Sequence, residues 1–299
     1  MSPVPAGPQV AGQSLPDDPR LPALAHLAGT LVSHKPGKRA VVRSPDGTRY
    51  TKVVRPGKAA KILAGVERAR PFAGPFATPR ILTSTQDTVT FAALAGVGLH
   101  DAGAFTEAAW ERAWRACAQS WRRSVGVGTE DLPGDTPVHT GRAEALILTD
   151  NLARAGGVER IDPAFAALLD ETANLLEDRD IVPAPCHRDL HDKQLLFDGS
   201  TTPGLLDVDT ACIADIALDP ANLRAHLRWR ARQGIWSASR AQAAVDAVDE
   251  ATAQAGVDPA ALDLYERATW LRLGCLYAAR PGWRETAAKL RRDLVAGGV

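Results

Sequence analysis

The hydrophobic period of this chain passes from mainly strand-like to mainly helical near Gly96, and that change restricts the fold more than any other feature. Before it, short β-branched runs at residues 29–33, 40–43 and 50–54 are separated by Pro36-Gly37 and by Pro45-Asp46-Gly47. Gly tolerates positive φ and Pro presets its own φ, so these separators are turns and the runs are three antiparallel strands. Residues 58–69 then place Ile62, Leu63 and Val66 at helical spacing, which predicts one helix. Pro71, Pro75 and Pro79 break the chain before two further candidate strands, 80–82 and 88–92. The first part is therefore expected to be β-β-β-α-β-β.

Beyond Gly96, Ala, Leu, Arg and Trp recur at helical period through 105–125, 140–155 and 163–177. The pattern lapses between Pro183 and Asp209, where the apolar runs 195–197 and 204–206 flank the turn Asp198-Gly199-Ser200 and predict a small hairpin. Helices resume from about Ala221, with breaks near Gly234, Gly256 to Pro259 and Pro281-Gly282. The class is α+β. The expected divisions are a flexible tail at 1–20, a small β-rich part at 21–95 and a larger, mainly helical part at 96–299.

Charge and cysteine content narrow the function classes. Lys plus Arg number 35 and so do Asp plus Glu, so there is no global field to favour nucleic acid or an anionic membrane. Charged ligands must be gripped locally. Cys117, Cys186, Cys212 and Cys275 form no C-x-x-C pair, which indicates reduced thiols rather than a zinc site or a disulfide framework. No window approaches the roughly 20 apolar residues of a spanning helix, and the Pro-rich start lacks a signal-peptide pattern. A cytoplasmic, soluble protein is expected.

Phosphoryl transfer needs a carboxylate to receive the proton of the attacking hydroxyl, ligands for Mg2+ and a cation on the donor's phosphates. His187-Arg188-Asp189, followed five residues later by Gln194, matches the kinase catalytic-loop pattern H-R-D-x-x-x-x-N with Gln in the Asn place. Thirteen residues further on, the apolar pair Leu205-Leu206 delivers Asp207. Upstream, Lys52 lies in the third expected strand and Glu67 follows in the helix, the order of the Lys and Glu pair that holds ATP phosphates. A surface ion pair is the rival interpretation of those two residues, and the catalytic loop that accompanies them favours the nucleotide-binding one.

The stretch from His187 to Leu223 resembles the catalytic core of the aminoglycoside phosphotransferase and choline kinase superfamily. The resemblance implies a protein-kinase-like, two-lobed fold that uses ATP and Mg2+ to phosphorylate a hydroxyl of a small molecule. In its terms Asp189 is the catalytic base, Gln194 and Asp207 bind the metal, Lys52 and Glu67 bind the nucleotide, and His187 braces the loop. Leu218-Asp219-Pro220-Ala221-Asn222-Leu223 is similar to the segment that follows the metal Asp in the family, with Asp219 a structural anchor. Gln194 departs from the pattern but keeps a neutral oxygen donor; bacterial maltokinases, relatives of the family, carry Gln there too.

Other features take bland interpretations. A G-x-G-x-x-G loop is missing, and the basic turn from His34 to Arg39 stands where it would be. His191 and Asp192 are either near the substrate or solvated. Trp110, Trp114, Trp121 and Trp270 are expected in the core, and the Arg-rich residues 224–232 on a solvated helix face, with the rim of the acceptor pocket as the lesser alternative. Two other classes compete. A catalytically degenerate binder of nucleotide or metabolite is motivated by Gln194 and the missing glycine loop, whereas a protein kinase lacks D-F-G and A-P-E segments.

Overall fold

The computed structural model describes residues 15–298. By its contacts the chain divides into two compact units. Among the described residues the first comprises 15–64 and 79–94, and the second comprises 65–78 and 95–298.

The first unit is built on the strands β1 (Thr30–Lys35), β2 (Arg39–Arg43) and β3 (Arg49–Val54). A helix α1 (Ala59–Arg68) and a single turn α2 (Arg70–Ala73) follow, then β4 (Ile81–Ser84) and β5 (Thr88–Ala92). The strands form one antiparallel sheet in the order β1-β2-β3-β5-β4. Leu21, Leu24, Ala40, Val42 and Val53 make its core. The boundary between the units falls inside α1, between Ala64 and Gly65.

The expected tail at 1–20 lies outside the described residues as far as residue 14. Its last part is tied down. Asp18 accepts from the backbone N–H of Arg20 and of Gly37 and pairs with His34 at 2.9 Å. Those bonds hold the Pro36-Gly37 turn, where Gly37 has φ +65°, a left-handed conformation that a side chain would strain.

The second unit opens with β6 (Val97–Gly98), followed by the helices α3 (Glu107–Val125), α4 (Gly141–Gly156) and α5 (Pro163–Glu177). Then come β7 (Pro183–Cys186), β8 (Leu195–Phe197), β9 (Gly204–Leu205) and β10 (Cys212–Asp215). Four helices complete it: α6 (Leu218–Arg232), α7 (Ala238–Gln254), α8 (Pro259–Leu276) and α9 (Arg284–Val295). Side-chain oxygens of Thr106, Thr140, Asp162, Ser237 and Asp258 cap α3, α4, α5, α7 and α8, each satisfying an amide left over by the first helical turn. Trp110 packs edge-on to Trp236 at 4.9 Å and to Trp114 at 5.6 Å. Trp110, Trp114, Trp121 and Trp270 are all buried.

Two short sheets present the loops. β8 and β9 form the expected hairpin, Leu195 opposite Leu205, and β6 adds a third strand along β8. β7 and β10 pair as a separate antiparallel ribbon with Cys186 opposite Cys212. All four cysteines are free and buried, and burial raises the thiols of Cys186 and Cys212, the latter to about 12. Among the described residues no helix is long and apolar enough to cross a membrane.

Candidate active site

β7 ends at Cys186 and hands the chain to His187, Arg188 and Asp189, whose conformation is held from both sides. Arg188 has φ +73°, an unfavourable region for a long side chain, with a strain of order 1–3 kcal/mol. The compensation comes from α6. Fully buried Asp219 accepts from the backbone N–H of His187 at 2.6 Å and of Arg188 at 2.8 Å. Burial raises the Asp219 carboxyl, and the His187 ring with those two amide bonds opposes the rise.

His187 ties this loop to the loop that follows β9. Its Nε2 donates to the Leu206 carbonyl at 2.8 Å while Nδ1 accepts from the Asp189 N–H at 3.3 Å, which assigns the Nε2–H tautomer. Thr210 Oγ1 donates to the His187 carbonyl at 3.1 Å, and Leu206 N donates to Gln194 O at 2.8 Å. Asp207, the residue after Leu206, is exposed and left-handed at φ 53°, ψ 36°, a region in which Asp is tolerated better than most residues.

Gln194 and Asp207 are brought together. The Gln194 amide nitrogen lies 3.5 Å from Asp207 Oδ2, and turning the amide over puts its oxygen in the same place. One exposed carboxylate and one amide oxygen are hard donors of the kind Mg2+ takes alongside waters and phosphate oxygens, so these residues fit the ion. Among the described residues no group of three or more His, Cys, Asp or Glu is placed to hold a metal. Asp189 stands 58% exposed at the loop tip.

Lys52 and Glu67 belong to different units. Lys52 is buried on β3, in register with Val41 and Val89. The exposed Glu67 pairs with Arg70 at 3.1 Å.

No family model matches the sequence, and no curated protein matches it either. Solved structures do. An aminoglycoside phosphotransferase from Streptomyces rimosus shares 22% identity over 83% of this chain and 92% of its own, with a TM-score of 0.59. A choline/ethanolamine kinase family protein from Mesorhizobium loti shares 16% identity over 92% and 90%, with a TM-score of 0.55. The amicoumacin kinase hAmiN, solved with AMP-PNP and Ca2+, shares 11% identity over 89% and 88%, with a TM-score of 0.62. The chain has the aminoglycoside phosphotransferase and choline kinase fold.

Within this phosphotransferase fold, α6 holds the loop almost residue by residue. Asp219, Asn222, His226 and Arg230 follow one another at helical spacings and so share a face. Beyond the Asp219 anchor, Asn222 Nδ2 donates to the Leu190 carbonyl at 2.7 Å. The His226 ring lies 5.0 Å from that of His191. Arg230 Nε and Nη2 donate to both oxygens of Asp192 at 2.9 to 3.1 Å.

Two expectations are corrected here. Residues 224–232 are not a solvated face, because Arg230 is 2% exposed and Arg224 and Arg228 both pair with Glu266. Asp192 is neither solvated nor open to substrate. It is fully buried between Arg230 and His100. Burial alone would raise its carboxyl, but the His100 hydrogen bond and the Arg230 guanidinium outweigh that and hold it well below the usual carboxylate range.

A second buried chain of contacts went unread in the sequence. Arg272 donates to Asn222 Oδ1 and pairs with Glu144 at 3.2 Å, and Glu144 meets His139 Nε2 at 2.8 Å. The only sequence signal was the spacing along α6, since the partners come from α4 and α8.

Proposed function

We propose that this chain transfers the γ-phosphoryl group of ATP to a hydroxyl of a small molecule, as an aminoglycoside, another antibiotic, a sugar or an amino sugar would offer. The observation that carries this reading is the locked loop: an exposed Asp189 at its tip, with Gln194 and Asp207 side by side where the next strand ends. A carboxylate held by the backbone on a rigid turn is suited to receive a proton from a docked hydroxyl.

In this reading the two units act as the lobes of a protein-kinase-like enzyme. Asp189 is the catalytic base. Gln194 and Asp207 would hold Mg2+, which supplies neutralisation of charge on the transferring phosphoryl group. Lys52, presented from β3, binds the nucleotide phosphates, and Glu67 orients it. Nucleotide and acceptor use also draws on similar structures, one solved with ADP and streptomycin and one with GDP and kanamycin. Those ligands belong to those proteins and leave the acceptor here to experiment.

Measured turnover of Mg-ATP by the purified chain, across aminoglycosides, hexoses, amino sugars and choline, tests the proposal. Acceptor-dependent turnover that disappears in Asp189→Asn is the expected outcome. The second reading is a degenerate nucleotide or metabolite binder, favoured by Gln194 in the Asn place and by the Glu67 to Arg70 pair. Mg-ATP binding without turnover on any acceptor would select its nucleotide-binding form, and loss of both would remove the phosphotransfer reading and leave the metabolite binder.

A further inference from the structure

The imidazole nearest Asp189 has a defined proton and a defined plane. His191 Nδ1 accepts from the Lys193 N–H at 3.2 Å, so its ring proton sits on Nε2. That Nε2 lies 4.0 Å from Asp189 Oδ2. The His226 ring, tilted by 35° with centroids 5.0 Å apart, backs the His191 ring on α6. The backbone around His191 is pinned as well: Asn222 holds Leu190, Arg230 holds Asp192, and the His191 carbonyl accepts from Gln194 N at 2.9 Å. Only 15% of the His191 side chain is exposed, against 58% of Asp189. The imidazole is the fixed member of the pair and the carboxylate the movable one.

We propose that His191 is a positioning residue for Asp189: its Nε2–H captures Oδ2 and selects the carboxylate rotamer that faces the acceptor, with His226 as the backstop of the imidazole plane. The inference rests on the phosphotransfer reading of Asp189. A separation of 4.0 Å exceeds a hydrogen bond, and a side-chain rotation of the exposed Asp189 closes it in the free chain. The captured carboxylate keeps Oδ1 for the acceptor. The hydroxyl O–H bond breaks, its proton passes to Oδ1, and its electron pair stays on the oxygen that attacks the γ-phosphorus, while the bond from that phosphorus to the β,γ-bridging oxygen breaks and ADP leaves with its electron pair. His191 does not take that proton, because Nδ1 is engaged by Lys193 and Nε2 already carries one.

Nitrogen NMR of the full chain labelled in histidine, with His191 assigned by its absence in His191→Gln, tests the pairing without any turnover. The Nε2–H tautomer is expected, with a His191 Nε2 resonance that moves in Asp189→Asn. An Nδ1–H tautomer, or a resonance indifferent to Asp189→Asn, overturns the proposal. Kinetics form the second arm. His191→Ala should lower kcat by about 10- to 100-fold, the scale of a misplaced catalytic group, with the nucleotide KM unchanged, and His191→Gln, which retains an N–H donor, should recover part of it. Equal losses in the two variants, or an unchanged kcat in folded His191→Ala, overturn it too. A wild type that turns over nothing defeats the phosphotransfer reading instead, and the spectra still decide whether the two side chains are bonded.

Discussion

Arg230 grips both carboxylate oxygens of Asp192 at 2.9 to 3.1 Å, and neither side chain reaches solvent. The two residues lie on different elements, one on α6 and one in the loop two residues before Gln194. Removing one partner of a buried pair leaves the other charge uncompensated, with losses of roughly 3–5 kcal/mol. Arg230→Ala should lose about that much in urea denaturation. Arg230→Lys should recover little, because a point charge cannot replace the two-pronged contact.

Asp219 is a test of how far backbone strain is borne by one carboxylate. Asp219→Ala strips the acceptor from the buried His187 amide and the part-buried Arg188 amide, and an orphaned buried donor costs about 1–3 kcal/mol. Arg188 should then leave its left-handed conformation. The expected result is a lowered Tm together with loss of turnover exceeding that of variants equally destabilised elsewhere.

Gly65 sets helix propensity against packing. In α1 a Gly-to-Ala change should favour the helix by about 1 kcal/mol. A Cβ at Gly65, however, would stand 2.3 Å from the Asp209 carbonyl oxygen, and backbone cannot swing aside as a flexible side chain can. Overpacking costs about 1–3 kcal/mol, so Gly65→Ala should lower the Tm, and a raised Tm would show that the 207–210 turn yields.

Asp192 and Glu144 give the fold a pH dependence of defined sign. In Glu144, as in Asp192, burial raises the carboxyl but is outweighed, here by the His139 hydrogen bond and the Arg272 charge. Both carboxyls are thus lower in the folded state than the ordinary value near 4. The unfolded chain binds more protons as pH falls through that value, so the stability they supply is full above it and drains away below. Asp219, whose carboxyl is raised, works in the opposite direction. Denaturation midpoints should be level between pH 7 and 5 and fall from pH 5 through 4 to 3, and Asp192→Asn should flatten the decline while lowering the value at pH 7.

Much of this fold was legible because its turns are chemically explicit. Pro36-Gly37 and Asp46-Gly47 mark the hairpins that the structure contains, and β8 and β9 flank Asp198-Gly199-Ser200 as expected. The β7 and β10 ribbon was not legible: four residues each, with Pro183 and Pro185 inside β7, carry no alternation that distinguishes strand from loop. α6 begins at Leu218 rather than near Ala221, because Asp215 accepts from Ala217 N ahead of the helix and Pro220 is tolerated in a first turn.

In the candidate site, spacing alone pointed to Asp189, Gln194 and Asp207, and the latter two do meet. Arg230 and Asp192 were misjudged for a physical reason. A charged residue in an Arg-rich run is usually solvated, and only its partner, 38 residues away in the chain, reveals that it is not.

The alignment of Asp219, Asn222, His226 and Arg230 makes α6 a ruler for the loop it grips. Inserting one residue between Asp219 and Arg230 would rotate everything beyond it by about 100° and take the later grips off the loop while Asp219 stayed in place. Loop and helix are therefore a single cassette: transplanting residues 187–194 into another scaffold should succeed only if the stretch 218–232 travels with them.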